Sequence, residues 1–272
     1  VAVDPSSPFT GGALLGDRIR MNELSTDPGV FIRSMATRGS LGGLATTSKE
    51  VADLLDAFGF DRVITETVGV GQSELEIAGT TDTTVVVLVP ESGDSIQAMK
   101  AGLMEIADIF VINKADRPGA DRMATELDLM LHMRLGEAQP ADAGHHGVSL
   151  KTVGKAARAR AKESAVEQGG WAIPVLKTVA QSGEGVDELT ATLDRHAVYL
   201  SESGELSRRR RRRLGERVRG VVDREMKRIA WEHGTGEEML RDSLEALESG
   251  EESPYSVAAR IVRGGLTTEH RL

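Results

Sequence analysis

The chain has 272 residues, 40% hydrophobic, 28% charged and 3% aromatic, with a formal net charge of −9. These proportions suit a soluble globular protein of one large domain, or one domain plus an appendage. No apolar run nears the roughly 18–20 residues that cross a bilayer, so no membrane partner is expected. Excess acid and scarce aromatics argue against a nucleic-acid partner. The chain has no cysteine. That removes disulfides, thiolate nucleophiles and Cys-based metal sites, and it fits a reducing, cytoplasmic compartment.

Val1-Ala2-Val3 reads as a strand already under way, so these residues are expected to be the interior of a longer protein. Short aliphatic or β-branched runs recur at Val1–Val3, Val30–Met35, Arg62–Glu66, Thr84–Val89, Ile109–Asn113 and Ile173–Val179. Helix-like stretches lie between most of them, at Lys49–Phe58, Ser95–Ile106 and Asp121–Leu135, and Val186–Leu200 follows the last. Continuous apolar strands are buried on both faces. Their alternation with helices predicts an α/β, doubly wound, mostly parallel sheet. Ligands bind such sheets at the carboxyl ends of the strands. Ala138–Gly147 reads as a loop and Lys151–Glu167 as a surface helix.

From Ser201 the composition changes: residues 201–272 hold 15 Lys and Arg against 14 Asp and Glu. Leu206–His233 reads as one long helix, reaching about 40 Å at roughly 1.5 Å per residue. Glu237–Glu248 and Pro254–Arg263 read as two shorter ones. The expected division is an α/β domain over 1–200 and a helical arm over 201–272.

The polar residues after each strand carry the informative motifs. Asp4 and Asp17 lie thirteen residues apart around a Gly/Ser-rich loop. Mg²⁺ takes hard oxygen ligands in octahedral geometry, and both carboxylates are candidate direct or water-mediated ligands. Asp17 also suits a helix N-cap. After Arg62–Thr65 comes Glu66-Thr67-Val68-Gly69-Val70-Gly71-Gln72-Ser73-Glu74. This has the logic of a switch loop: Glu66 reaches Mg²⁺ or its waters, and the Gly69 N–H senses a γ-phosphate. A Gly-rich turn with an incidental Glu is the plainer alternative.

Asn113-Lys114-Ala115-Asp116 follows the apolar run Ile109–Ile112. This is the Asn-Lys-x-Asp pattern of guanine-nucleotide proteins. An aspartate accepts two hydrogen bonds from adjacent donors, and guanine offers N1–H and its 2-amino group side by side. Against adenine a buried Asp116 carboxylate would stay unpaired, which discriminates strongly. Asn113 would tie neighbouring loops together, and the Lys114 stem would cover one face of the base. A second piece is Lys177-Thr178-Val179-Ala180-Gln181-Ser182-Gly183-Glu184-Gly185. Here the Ala180 N–H sits where guanine-nucleotide proteins bond the guanine carbonyl, flanked by Val179 and Gln181. The usual serine of that motif is Val179, which removes one hydroxyl. An ordinary strand-to-helix turn fits the same residues.

Together these strings resemble the P-loop GTPases that serve metalloenzymes and cobalamin enzymes. Most closely they resemble the methylmalonyl-CoA mutase-associated GTPases of MeaB/ArgK type. Val3-Asp4-Pro5-Ser6-Ser7, Gly16-Asp17-Arg18-Ile19-Arg20-Met21 and Thr37-Arg38-Gly39-Ser40-Leu41-Gly42-Gly43 add to the likeness, which runs from residue 1 to about residue 264. The resemblance implies a G domain with a C-terminal dimerisation arm, hence a homodimer. It implies binding of GTP/GDP with Mg²⁺ and slow hydrolysis that a partner accelerates. The implied partner is an adenosylcobalamin-dependent acyl-CoA mutase, with cofactor loading gated and the mutase protected. It also implies a mobile segment at Val89–Lys100, where Lys100 brings positive charge to the transferring phosphoryl group. Lys100 equally suits a solvated helix face. Lys100, Asp17 and Gly69 are thus the expected catalytic set.

One departure is large. The Gly-x-x-x-x-Gly-Lys-[Ser/Thr] phosphate loop is not in these residues. The family has it upstream of the strand at Val1. Without its N–H cradle and lysine, these residues alone are expected to bind GTP poorly and hydrolyse little. A GTPase metallochaperone and a non-catalytic interaction module remain the alternatives, although the first usually carries Cys or His ligand clusters. A transport ATPase or kinase is disfavoured, because Asn113–Asp116 selects guanine. The six histidines show no metal-type spacing. Arg208–Arg213 reads as a solvated helix face, and Trp171 and Trp231 read as packing anchors.

Overall fold

The computed structural model describes residues 2–4, 21–24, 26–36, 46–67, 79–90, 102–134, 170–233 and 235–268. The chain divides into two compact units, Val1–Ser207 and Arg208–Leu272.

In the first unit the described strands form two three-stranded sheets. In one, β1 (Ala2–Asp4) lies between β2 (Ser34–Ala36) and β3 (Glu66–Thr67). In the other, β5 (Ile109–Asn113) lies between β4 (Val85–Leu88) and β6 (Val175–Thr178). Every pairing is parallel. Parallel neighbours need long crossovers. Helix α1 (Thr46–Phe58) lies in the connection from β2 to β3, and α2 (Ala120–Arg134) in that from β5 to β6.

β5 is apolar along its length because both its faces are covered. Phe110 and Ile112 pack with Val86, Leu88 and the α2 residues Met123, Ala124 and Leu127. Ile109 and Val111 face the other way, with Leu176, Trp171 and the residues Leu189 and Leu193 of α3 (Val186–Glu202). Helices on both faces make this a doubly wound α/β arrangement. Each fully buried aliphatic or aromatic side chain contributes about 1.5–3 kcal/mol. β4 departs from the expected two-sided burial. Among the described residues it pairs with β5 alone, its burial alternates, and Val87 is 57% exposed. Val30–Arg33 and Arg62–Thr65 lie outside the ladder, since three-residue β1 sets the register of both neighbours.

At the amino ends of β4 and β5, the α3 residue His196 is fully buried. Its Nδ1 lies 2.9 Å from Thr83 Oγ1, and its Nε2 3.5 Å from Asp108 Oδ1. Asp108 Oδ2 accepts the Thr84 N–H at 2.8 Å, and Trp171 Nε1–H donates to the Asp108 carbonyl at 2.8 Å. The Trp171 and His196 rings stand 4.5 Å apart. This cluster pins the C-terminal half of α3 to the sheet edge opposite the strand carboxyl ends.

The second unit is helical. Helix α4 (Glu205–Arg228) runs into a π-helical turn, Ile229–His233. Ala230, Val257 and Ile261 form a small core with Met239, Leu240 and Leu247. The stretch expected as one helix over Glu237–Glu248 is two, α5 (Gly236–Asp242) and α6 (Leu244–Ser249). They part at Ser243, whose Oγ donates to the Met239 carbonyl at 2.7 Å and accepts Arg260 Nη2–H at 2.6 Å. Such back-bonding weakens and bends helices. Arg260 belongs to α7 (Pro254–Thr268) and also grips both oxygens of Glu252 at 2.9 Å. Those hydrogen bonds hold the Glu252 carboxyl below its ordinary value.

Candidate functional site

The best-formed polar corner lies where β5 and β6 end. Register pairs Asn113 with Thr178, so two polar residues close two paired strands side by side. Asn113 Oδ1 accepts the Thr178 hydroxyl at 3.2 Å and the Ala180 N–H at 3.1 Å. The Ala115 N–H donates to the Thr178 carbonyl at 3.0 Å. Lys114 adopts φ 57°, the left-handed region that side chains other than glycine seldom enter. That reversal, with the Arg117 N–H on the Lys114 carbonyl at 3.0 Å, turns the chain so that Lys114 and Asp116 are both exposed.

The facing turn is closed by its own backbone. The Val179 N–H donates to Glu184 at 2.9 Å, and Ser182 N–H and Oγ both reach the Val179 carbonyl. Gly185 then enters α3 with φ 77°, and a Cβ there would lie 2.1 Å from the Lys177 carbonyl oxygen. Only glycine fits that approach. Lys177 Nζ pairs with Asp121 Oδ1 in the first turn of α2.

The structure thus brings together Asn113, Lys114, Asp116, Val179, Ala180 and Gln181. Two details differ from the sequence expectation: the Ala180 N–H is engaged by Asn113 Oδ1, and the Asp116 carboxylate, expected to be buried, is exposed at the turn. Glu66 is exposed at the start of β3, and register sets it beside Ala2, two positions before Asp4. Carboxylates are the right donors for Mg²⁺. Among the described residues, though, no three His, Cys, Asp or Glu side chains are grouped to hold a metal ion. Asp17, Gly69 and Lys100, and the side chain of Asp4, lie outside the described residues. So do the loop expected at Ala138–Gly147, the helix at Lys151–Glu167 and most of Val89–Lys100.

Over residues 1–235 the chain matches the family model described as Methylmalonyl Co-A mutase-associated GTPase MeaB. The chain belongs to the MeaB family. A relative from Pyrococcus horikoshii is 49% identical over 222 residues, covering 82% of this chain and 61% of that protein. The chain therefore spans less than two thirds of that relative's length. GTPase ArgK of Escherichia coli is 33% identical over 254 residues, 93% of this chain and 69% of ArgK. The crystal structure of LAO/AO transport system kinase superposes with a TM-score of 0.57 at 24% identity, over 89% of this chain and 68% of that one. That last likeness is one of fold.

In this MeaB chain, sequence reasoning placed Lys177, Thr178 and Gly185 in the turn string without giving any of them a role of its own, and it missed Asp121. A signal existed for Gly185, a glycine immediately before an apolar-periodic helix. Thr178 becomes visible only once the β5–β6 register is known. The Lys177–Asp121 pair spans 56 residues and had no local mark.

Proposed function

We propose that the protein is a GTP-binding and GTP-hydrolysing chaperone of an adenosylcobalamin-dependent acyl-CoA mutase of methylmalonyl-CoA mutase type. It gates cofactor loading and protects the mutase. Membership of the MeaB family supports the mutase partner. The observation that carries guanine reading is the Asn113 side chain, bonded at once to Thr178 and Ala180. This bond fixes the Asp116 loop against the turn that bears the Ala180 N–H.

In this reading Asp116 accepts from guanine N1–H and the 2-amino group, and the Lys114 stem covers one face of the base. The guanine carbonyl takes a share of the Ala180 N–H now held by Asn113. Hydrolysis proceeds by water attack on the γ-phosphorus, with catalysis from positioning and charge stabilisation. Asp4, Asp17 and Glu66 are the proposed Mg²⁺ ligands; bound there, the ion would neutralise phosphate charge. Gly69 senses the terminal phosphate, and Lys100 supplies charge on partner binding. Residues 1–200 are assigned to the G domain and 201–272 to a dimerisation arm. On α4, exposed Leu214, Val218, Val221 and Val222 recur at helical spacing. A cytoplasmic location is part of the proposal.

The test is turnover of GTP and ATP by the intact protein, with and without purified methylmalonyl-CoA mutase. GTP hydrolysis that rises when the mutase is added, with ATP left untouched, is expected. Equal use of both nucleotides would remove the guanine assignment. Mutase-independent turnover together with failure to co-purify would remove the client.

A further inference from the structure

We infer that Lys177 and Asp121 are positioning residues for base recognition, their ion pair closing the flank of Asp116 that Asn113 leaves open. The inference rests on the guanine-reading assignment above and adds two residues to it.

Asp116 sits in the connection between β5 and α2. Before it, Asn113 and Ala115 are bonded to Thr178 and Ala180. After it, Arg117–Ala120 lead to Asp121 in the first turn of α2, and there Lys177 Nζ donates to Asp121 Oδ1. Every one of these tethers ends on residues 177–180. The short segment that offers the Ala180 N–H therefore holds Asp116 from both sides. The pleat explains why Lys177 is available: burial along β6 alternates, so Lys177 faces outward between buried Leu176 and Thr178. Asp121 is well placed for its part, since a carboxylate in a first helical turn is favoured by the unpaired N–H groups there. Gly185 keeps the arrangement compact, its backbone pressed against the Lys177 carbonyl.

Both partners are exposed, so the tether is of ordinary strength and is screened by salt. Its effect belongs in the lifetime of the bound nucleotide. Holding the two loops together opposes base release, whereas the identity of the base is read by Asp116, which neither partner touches.

The experiment uses the intact protein and a fluorescent GDP analogue, chased with excess unlabelled GDP in a stopped-flow instrument. Lys177→Met and Asp121→Asn should each speed release by about two- to fivefold, the range of exposed ion pairs, with association nearly unchanged. High salt should raise the wild-type rate to meet the variants, because screening removes what the substitutions remove. Guanine preference over adenine should persist in both. Variants that release the analogue at the wild-type rate, while wild type prefers guanine, would overturn the tether alone. A faster rate that stays apart from wild type at high salt would mean a packing effect and would also overturn it. A wild-type protein without guanine preference would overturn the base assignment, and the tether with it.

Discussion

The amide oxygen of Asn113 lies 3.1 Å from the backbone nitrogen of Ala180, 67 residues further along the chain. One side chain at the end of the most buried strand thus joins the two turns that meet at the carboxyl edge of the sheet. Asn113→Ala removes this link and the one to Thr178, leaving two donors without that acceptor. A loss of about 1–3 kcal/mol is expected in urea unfolding. Guanine-nucleotide affinity should fall about tenfold or more by titration calorimetry, since each 1.4 kcal/mol is roughly a factor of ten.

Two glycines in the facing turn separate conformation from collision. Gly183 has φ 80° with open space around a would-be Cβ, whereas Gly185 has φ 77° and a backbone oxygen in the way. Gly183→Ala should cost about 1–2 kcal/mol, the left-handed penalty alone. Gly185→Ala should cost clearly more, because α3 must shift off Lys177. Chemical denaturation of the pair side by side measures the difference.

His196 is fully buried against Trp171 at the opposite edge of the sheet. His196→Ala opens a cavity there and should lower stability by about 2–4 kcal/mol. Trp171 fluorescence should change on substitution, while the guanine-over-adenine preference of the folded variant stays as in wild type. Loss of that preference at unchanged stability would tie this cluster to the base corner.

The helical unit offers a pH test. Arg260 holds the Glu252 carboxyl below its ordinary value chiefly by hydrogen bonding, and Arg260 remains charged throughout. A carboxylate with a depressed folded-state pKa adds stability above its unfolded pKa and loses it as pH falls through the folded one. The melting temperatures of wild type and Glu252→Gln should therefore differ near neutrality and converge in acid. A gap that widens as pH falls would reverse the sign.

Strand β5 could be read with its observed bounds because it is apolar on both faces and ends on a polar motif. The flanking elements were harder. A strand exists only where a partner pairs, so Arg62–Glu66 yields just Glu66–Thr67 opposite β1. Ser243 splits a stretch that reads as one amphipathic helix, through a hydroxyl bond to Met239 and an arginine from α7. In the base corner, Asn113, Lys114 and Asp116 were legible because local spacing defines them. Thr178, Lys177 and Asp121 were not, since their roles come from strand register and helix placement. His196 was invisible for the same reason: its contacts Thr83 and Asp108 are far off in the chain.

The most direct measurement of guanine reading is the base preference of Asp116→Asn in the intact protein. An asparagine there offers a donor and an acceptor, which match the C2 carbonyl and N1–H of xanthine in place of guanine's two donors. Binding of fluorescent GDP and XDP analogues should shift from guanine to xanthine, by about a hundredfold or more in the ratio of affinities. An unchanged ratio, with the variant still binding guanine as tightly as wild type, would contradict base recognition by Asp116.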